Sequence, residues 1–160
     1  MGIYTASFTG VAVTQDQDLF EIVAGDYPVV IRRIEIGQYS DAGDAQAEMR
    51  PISIKRGTTA GSGGTSGVTL TKQRSSMPAA STVVDTNHDT PGTGGEVWWS
   101  AAFNVMGGWF YPFTHIPSLQ YPKEFGNLIL DPGERATVTM ATDPGDELTM
   151  SGSVEIEELR

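Results

Sequence analysis

Residues 131–158 read DPGERATVTMATDPGDELTMSGSVEIEE, and their alternation decides the fold class. Ala136, Val138 and Met140 alternate with Arg135, Thr137 and Thr139. Leu148, Met150, Val154 and Ile156 then share one face, with Glu147, Thr149, Ser151, Ser153, Glu155 and Glu157 on the other. A period of two is the mark of a strand with one side turned to a core, so these residues predict two half-buried strands. Each is introduced by Asp-Pro-Gly, at Asp131-Pro132-Gly133-Glu134 and at Asp143-Pro144-Gly145-Asp146. Proline at the second turn position and glycine at the third suit a type II turn. That turn matches strand twist poorly in a tight hairpin, so at least one of the two is expected to carry the chain from one sheet to another.

Strand signals continue upstream. Tyr4, Ala6 and Phe8 share one face while Val11 and Val13 have the opposite parity, a slip that Gly10 absorbs as a β-bulge. Leu19–Val23, Val29–Ile36 and Met49–Lys55 follow as strands, separated by turn-forming residues at 24–28 and 40–44. Pro51 has no amide proton for a ladder and places its strand at a sheet edge, where Arg50, Lys55 and Arg56 discourage stray pairing. Residues 74–95 read mostly as loop. Residues 97–113 then carry three tryptophans with Phe110, Tyr111 and Phe113 and no charge, so they are buried or covered by something else. If Trp98 and Trp99 lie on a strand, strict alternation points them to opposite faces. About eight strands in 160 residues predict a single domain over residues 1–160, an all-β, two-sheet antiparallel β-sandwich with jelly-roll-like layout.

Composition narrows the function classes. No cysteine is present, which removes disulfide frameworks, thiolate metal sites and cysteine nucleophiles. No stretch approaches the run of roughly 20 apolar residues that a helical membrane span needs, and no leader or lipid-anchor pattern opens the chain, so a soluble protein is expected. The formal charge of −10 is uneven: residues 1–80 carry eight acids against seven bases, and residues 81–160 twelve against three. Clustered Lys and Arg are what phosphates require, so nucleic acid is not expected as a partner.

Catalytic patterns are missing or incomplete. The run GTTAGSGGTSG at 57–67 holds five glycines but no Lys-Ser/Thr ending, and Ser66 stands where GxGxxG from Gly61 needs its last glycine. It reads instead as an adaptable contact element beside Arg50, Lys55 and Arg56. His88 and His115 form no His-x-His pair, so no catalytic metal, cofactor or small-molecule substrate is expected. Asp85, Asn87, Asp89 and Glu96 fall at positions 1, 3, 5 and 12 of an EF-hand-like loop, but Thr90 occupies the glycine position, and ordinary loop chemistry is the alternative reading. No G-x-S-x-G occurs, and a glycosidase carboxylate pair has no sequence signature. The aromatic group Trp98, Trp99, Trp109, Phe110, Tyr111 and Phe113 has three readings: core packing, a subunit contact, or a platform for stacking sugars.

Taken nearly end to end, the chain resembles small accessory proteins encoded among the head genes of tailed bacteriophages. The resemblance rests on SFTGVAVTQDQDLFEI at 7–22, IRRIEIGQYSDAGDAQAE at 31–48, IKRGTTAGSGG at 54–64, AFNVMGGWFY at 102–111 and LTMSGSVEIEEL at 148–159. It implies a jelly-roll-like virion component made in the host cytoplasm: a non-enzymatic cement or decoration protein, often trimeric, on the capsid exterior. The expected partner is the major capsid protein, and the expected contact residues are Arg50, Lys55, Arg56, Trp98, Trp99, Trp109 and Tyr111. The alternative is a carbohydrate- or receptor-binding module of a phage tail or fibre, using its aromatics to stack on sugars.

Overall fold

The alternation at 135–140 and 148–158 becomes two central strands. A computed structural model describes residues 2–38, 48–105, 107–112, 128–145 and 147–160, with backbone alone at 110–112. The predicted turn at 40–44, together with Phe113, His115 and Asp146, lies outside the described residues, as do the side chains of Phe110 and Tyr111. Every regular element described is a strand: β1 (Gly2–Val13), β2 (Gln17–Val23), β3 (Val29–Gln38), β4 (Met49–Thr58), β5 (Thr71–Lys72), β6 (Val83–His88), β7 (Gly94–Asn104), β8 (Trp109–Pro112), β9 (Leu128–Leu130), β10 (Arg135–Met140) and β11 (Leu148–Glu158).

They form two antiparallel sheets packed as a β-sandwich. The first runs β5-β1-β11-β3-β8, with β9 also paired to β3; the second runs β6-β2-β10-β4-β7. Val138, Met140, Met150, Val154 and Ile156 are fully buried between them, together with Tyr4, Phe20, Ile22, Ile34, Ile52 and Ile54. The predicted slip in β1 is present: the register with β11 shifts between Phe8 and Val11, and Gly10 has φ 66°. Its lack of a Cβ makes that conformation cheap.

Both Asp-Pro-Gly segments connect the two sheets, the first between β9 and β10, the second between β10 and β11. The first is the expected type II corner, with Gly133 at φ 83° and the Glu134 amide donating to the Asp131 carbonyl at 2.9 Å. The second differs, because Gly145 does not adopt positive φ. Its amide instead donates to Glu48 Oε2 at 3.1 Å, and a Cβ there would overlap that carboxylate.

Three further expectations change. The Pro51 strand, β4, is interior, lying between β10 and β7. Proline is tolerated there because β10 ends beside it: the last β10 pair is Met140 with Ile52, and the Ala141 amide donates to the Pro51 carbonyl at 3.3 Å. The missing Pro51 donor thus falls at the end of the β10–β4 ladder, where at most one bond is forgone. The region read as loop at 74–95 contains β6 and the start of β7. Finally, Ile54 opposes Trp99 while Lys55 opposes Val97, which leaves Trp98 as the extra residue of a bulge. Strict alternation is therefore lifted, and both tryptophans pack, half-buried, against the core.

Candidate functional site

The outer face of the second sheet divides into two halves of different chemistry. One half, over β6, β2 and β10, is polar yet buried. Its origin is a bulge in β2: Phe20 opposes Val138 and Asp18 opposes Thr139, so Leu19 is extra and Asp18 and Glu21 come to the same face. There they join Thr137, Thr139 and His88, all nearly inaccessible. A narrow ribbon of residues 59–62 and 90–93 crosses over them, joined by the Thr59 amide to the Thr93 carbonyl at 3.0 Å and by the Ser62–Thr90 bridge.

Each carboxylate oxygen beneath this ribbon has a partner. Asp18 accepts from the Gly92 amide at 2.7 Å and from the Thr139 hydroxyl at 2.5 Å. Glu21 accepts from the Gly61 amide at 2.8 Å, and its other oxygen lies 2.8 Å from Arg135 Nε. His88 Nδ1 sits 3.4 Å from Glu21 Oε2, outside hydrogen-bonding alignment. Part of the glycine run, Gly61 to Gly64, is closely fitted to the fold, while most of the run stays exposed. A Cβ on Gly61 would lie 2.6 Å from His88 Nδ1, and one on Gly64 would overlap the Thr86 carbonyl. Beyond the ribbon the run follows the outer edge of β6 through Thr65–Thr86 and the Val68 amide to the Val84 carbonyl, closing an edge that would otherwise invite pairing. With its acids occupied and covered, this cluster presents no reactive group to solvent.

The other half, over β4 and β7, is open and almost uncharged. Met49–Asn104, Pro51–Ala102, Ser53–Ser100 and Lys55–Val97 are cross-strand pairs on the side opposite buried Ile52 and Ile54. Met49 is 61% exposed and Val97 59%, Ser53 is buried where the strip meets β10, and Lys55 is the only charged side chain among the eight. A solvent face of a sheet ordinarily carries charge; this one offers a strip of small, apolar and neutral polar groups with one lysine.

The residues expected to form a contact surface are only partly brought together. Lys55 belongs to the strip, and Arg56 sits at its end, 4.9 Å from the Trp98 ring and 3.4 Å from Glu96. Arg50 is used internally: it pairs with Glu48 and donates to the Asp143 carbonyl at 2.7 Å, pinning the second Asp-Pro-Gly corner. Trp99 and Trp109 meet at 5.2 Å between ring centroids, and Trp109 is buried, so this pair joins the two sheets. Tyr111 stands on β8 opposite Ile34. The described tryptophans form no exposed row. Asp85 and Asn87 lie on a strand, with Asp85 accepting from the Gly67 amide at 2.5 Å, and Glu96 is on β7; among the described residues no group of three His, Asp or Glu is placed to hold a metal.

No family model, curated protein or solved structure matches this chain.

A third buried acid sits at the C-terminal end of β11. Glu158 continues the inward parity of Val154 and Ile156 and is fully buried. It accepts from the Ser81 amide at 2.7 Å, the Thr82 amide at 2.8 Å, the Thr82 hydroxyl at 2.8 Å and Arg160 Nη2 at 2.6 Å. Arg160 also caps the Ala79 carbonyl and lies over the Tyr27 ring. Burial alone pushes the Glu158 carboxyl upward, but Arg160 and the Thr82 and Ser81 donors together hold it below the ordinary carboxylate value. Asp18 goes the other way, raised by burial despite its Thr139 and Gly92 bonds.

The two acids therefore have opposite pH linkage. For Glu158, depressed in the folded state, the stabilisation is present above the ordinary carboxylate range and is lost as pH falls through the folded value. For Asp18, raised in the folded state, acidification relieves a cost. On lowering pH from neutral, hydrogen-exchange protection at the Thr82 amide is expected to fall first while the Gly92 amide stays protected. Loss of Gly92 protection ahead of Thr82 would contradict this assignment.

Proposed function

We propose that this chain is a virion structural protein, a cement or decoration protein that binds the exterior of a phage head and stabilises neighbouring major capsid subunits, acting as a trimer. The observation that carries the reading is the strip over β4 and β7, with Lys55 as its one charged side chain, on a chain of formal charge −10. A protein that works by clamping needs area and complementarity rather than a reactive group, and it stabilises a shell by binding the assembled surface in preference to free subunits. The strip supplies contact area without like-charge repulsion, and Lys55 and Arg56 at one end suit an acidic neighbour. The covered state of Asp18, Glu21 and His88 is consistent with a non-enzymatic role.

A jelly-roll layout is part of the same proposal. The strand pairs nest, with β1 on β11, β2 on β10, β3 on β9 and β8, and β4 on β7, as in one long double ribbon wound into two sheets. This supports the head-protein resemblance, since that resemblance implies such a fold. The sugar-stacking alternative gains nothing from the tryptophans, which are half-buried or buried.

Val97→Asp places a charge in the strip at an exposed position and is expected to leave the melting temperature within a few degrees of the parent. Its cosedimentation with undecorated heads is expected to weaken by about tenfold or more, a loss of about 1.4 kcal/mol or greater. Undiminished binding would remove the strip from the interface.

A further inference from the structure

The outer face of the first sheet, on the opposite side of the sandwich from the strip, carries a trough of about 550 Å³. Its floor follows from the sequence. Ser7, Ser153 and Glu35 are directly opposed on three neighbouring strands, and Ser151 opposes Gly37 in a row beside them. Small side chains on adjacent strands leave a depression where larger ones would make a ridge. A Cβ on Gly37 would meet nothing within 4 Å, so the open space lies above that residue. Thr9, beside the Gly10 bulge, forms one wall, and the Gly107–Gly108 turn forms the other.

The polar groups of the trough are already oriented. Ser153 Oγ donates to Glu35 Oε2 at 3.3 Å, while Glu35 Oε1 pairs with Arg33. Ser151 Oγ accepts from the Gly10 amide at 3.1 Å, which leaves its hydroxyl proton available. Hydroxyls and a carboxylate thus repeat across the face at the inter-strand spacing of about 5 Å. Hydroxyls on opposite sides of a hexose ring span a comparable distance.

We propose that this trough is a binding site for a neutral saccharide. Its volume falls in the usual range of ligand sites, about 300–1,000 Å³. An anion is disfavoured by Glu35 and by the net charge of −10, and a cation by the pairing of Glu35 with Arg33. A purely apolar ligand would strip water from four hydroxyls without replacing their hydrogen bonds. The proposal is independent of capsid binding, because the two surfaces lie on opposite sheets; a protein docked through the strip would present the trough outward.

The test is an NMR titration of the whole chain with maltotriose, cellotriose and triacetylchitotriose in turn. At least one is expected to shift the amide signals of Ser7, Glu35, Gly37 and Ser153 at millimolar concentration. Gly37→Leu starts from a Cβ with nothing within 4 Å and projects into the trough, and it is expected to weaken that binding by about tenfold or more with the fold intact. If Gly37→Leu lowers the melting temperature, Glu35→Gln at the partly exposed edge serves instead, with the same weakening expected. No shift with any of the three sugars, or shifts that persist in both variants, would overturn the proposal.

Discussion

Glu21→Leu is expected to lower the melting temperature by about 10 °C, the equivalent of about 3 kcal/mol in a domain of this size. The Gly61 amide loses its acceptor, and Arg135 loses its buried charge partner, with the His88 ring left beside an apolar side chain. Arg135 is partly exposed and can turn to water, but the Gly61 amide cannot without lifting the ribbon. The effect should therefore include loss of hydrogen-exchange protection at Gly61 and Ser62. Glu21→Gln keeps one acceptor and a matching shape and is expected to recover part of the loss. Thermal melts of both variants check the ordering, and equal stability of Glu21→Leu and the parent would show that the covered acid is dispensable.

Phe20→Ala is expected to be at least as damaging, at about 3–5 kcal/mol. Phe20 is the chain neighbour of Glu21 but faces the other way, fully buried between the sheets with its ring 5.2 Å from that of Phe8. Truncation removes the ring's burial and leaves a cavity that flanking strands, fixed by their ladders, close only partly. Against the roughly 5–15 kcal/mol that holds a typical domain together, either change removes a large share. Denaturant titration should show the midpoint fall with an unchanged slope.

These neighbours illustrate what the sequence discloses and what it hides. Side-chain alternation is a local signal, so the inward faces of β10 and β11, the bulge at Gly10 and the corner at Asp131–Glu134 were all legible. Alternation also set Glu158 on the inner face. Its partners at Ser81 and Thr82 lie far away in the chain, and nothing local announces them. The same holds for Asp18 and Glu21: two acids inside an apolar strand hint at a covered polar face, but the Leu19 bulge that aligns them and the glycine ribbon that covers them are properties of the assembled sheets. Pro51 misleads for a related reason. Its missing donor implies an edge only if a neighbour extends past it, and β10 stops at Met140. The glycine run suggested freedom of motion, whereas close approach to His88 and Thr86 is what its small residues serve.

For function, the contact residues expected from the sequence divide once placed in three dimensions. Arg50, Trp99 and Trp109 stabilise the sandwich itself, while Lys55, Arg56 and the strip from Met49 to Val97 remain on a face that a partner can reach. That division sharpens the capsid proposal from a charged segment to a defined surface.

Electron cryomicroscopy of undecorated heads mixed with the purified protein tests the central proposal most directly. The account predicts ordered extra density at three-fold or quasi-three-fold positions on the outer shell, with the β4–β7 face against the major capsid protein and the first sheet turned to solvent. Bare shells at saturating protein, or ordered density docked through the first sheet, would contradict it.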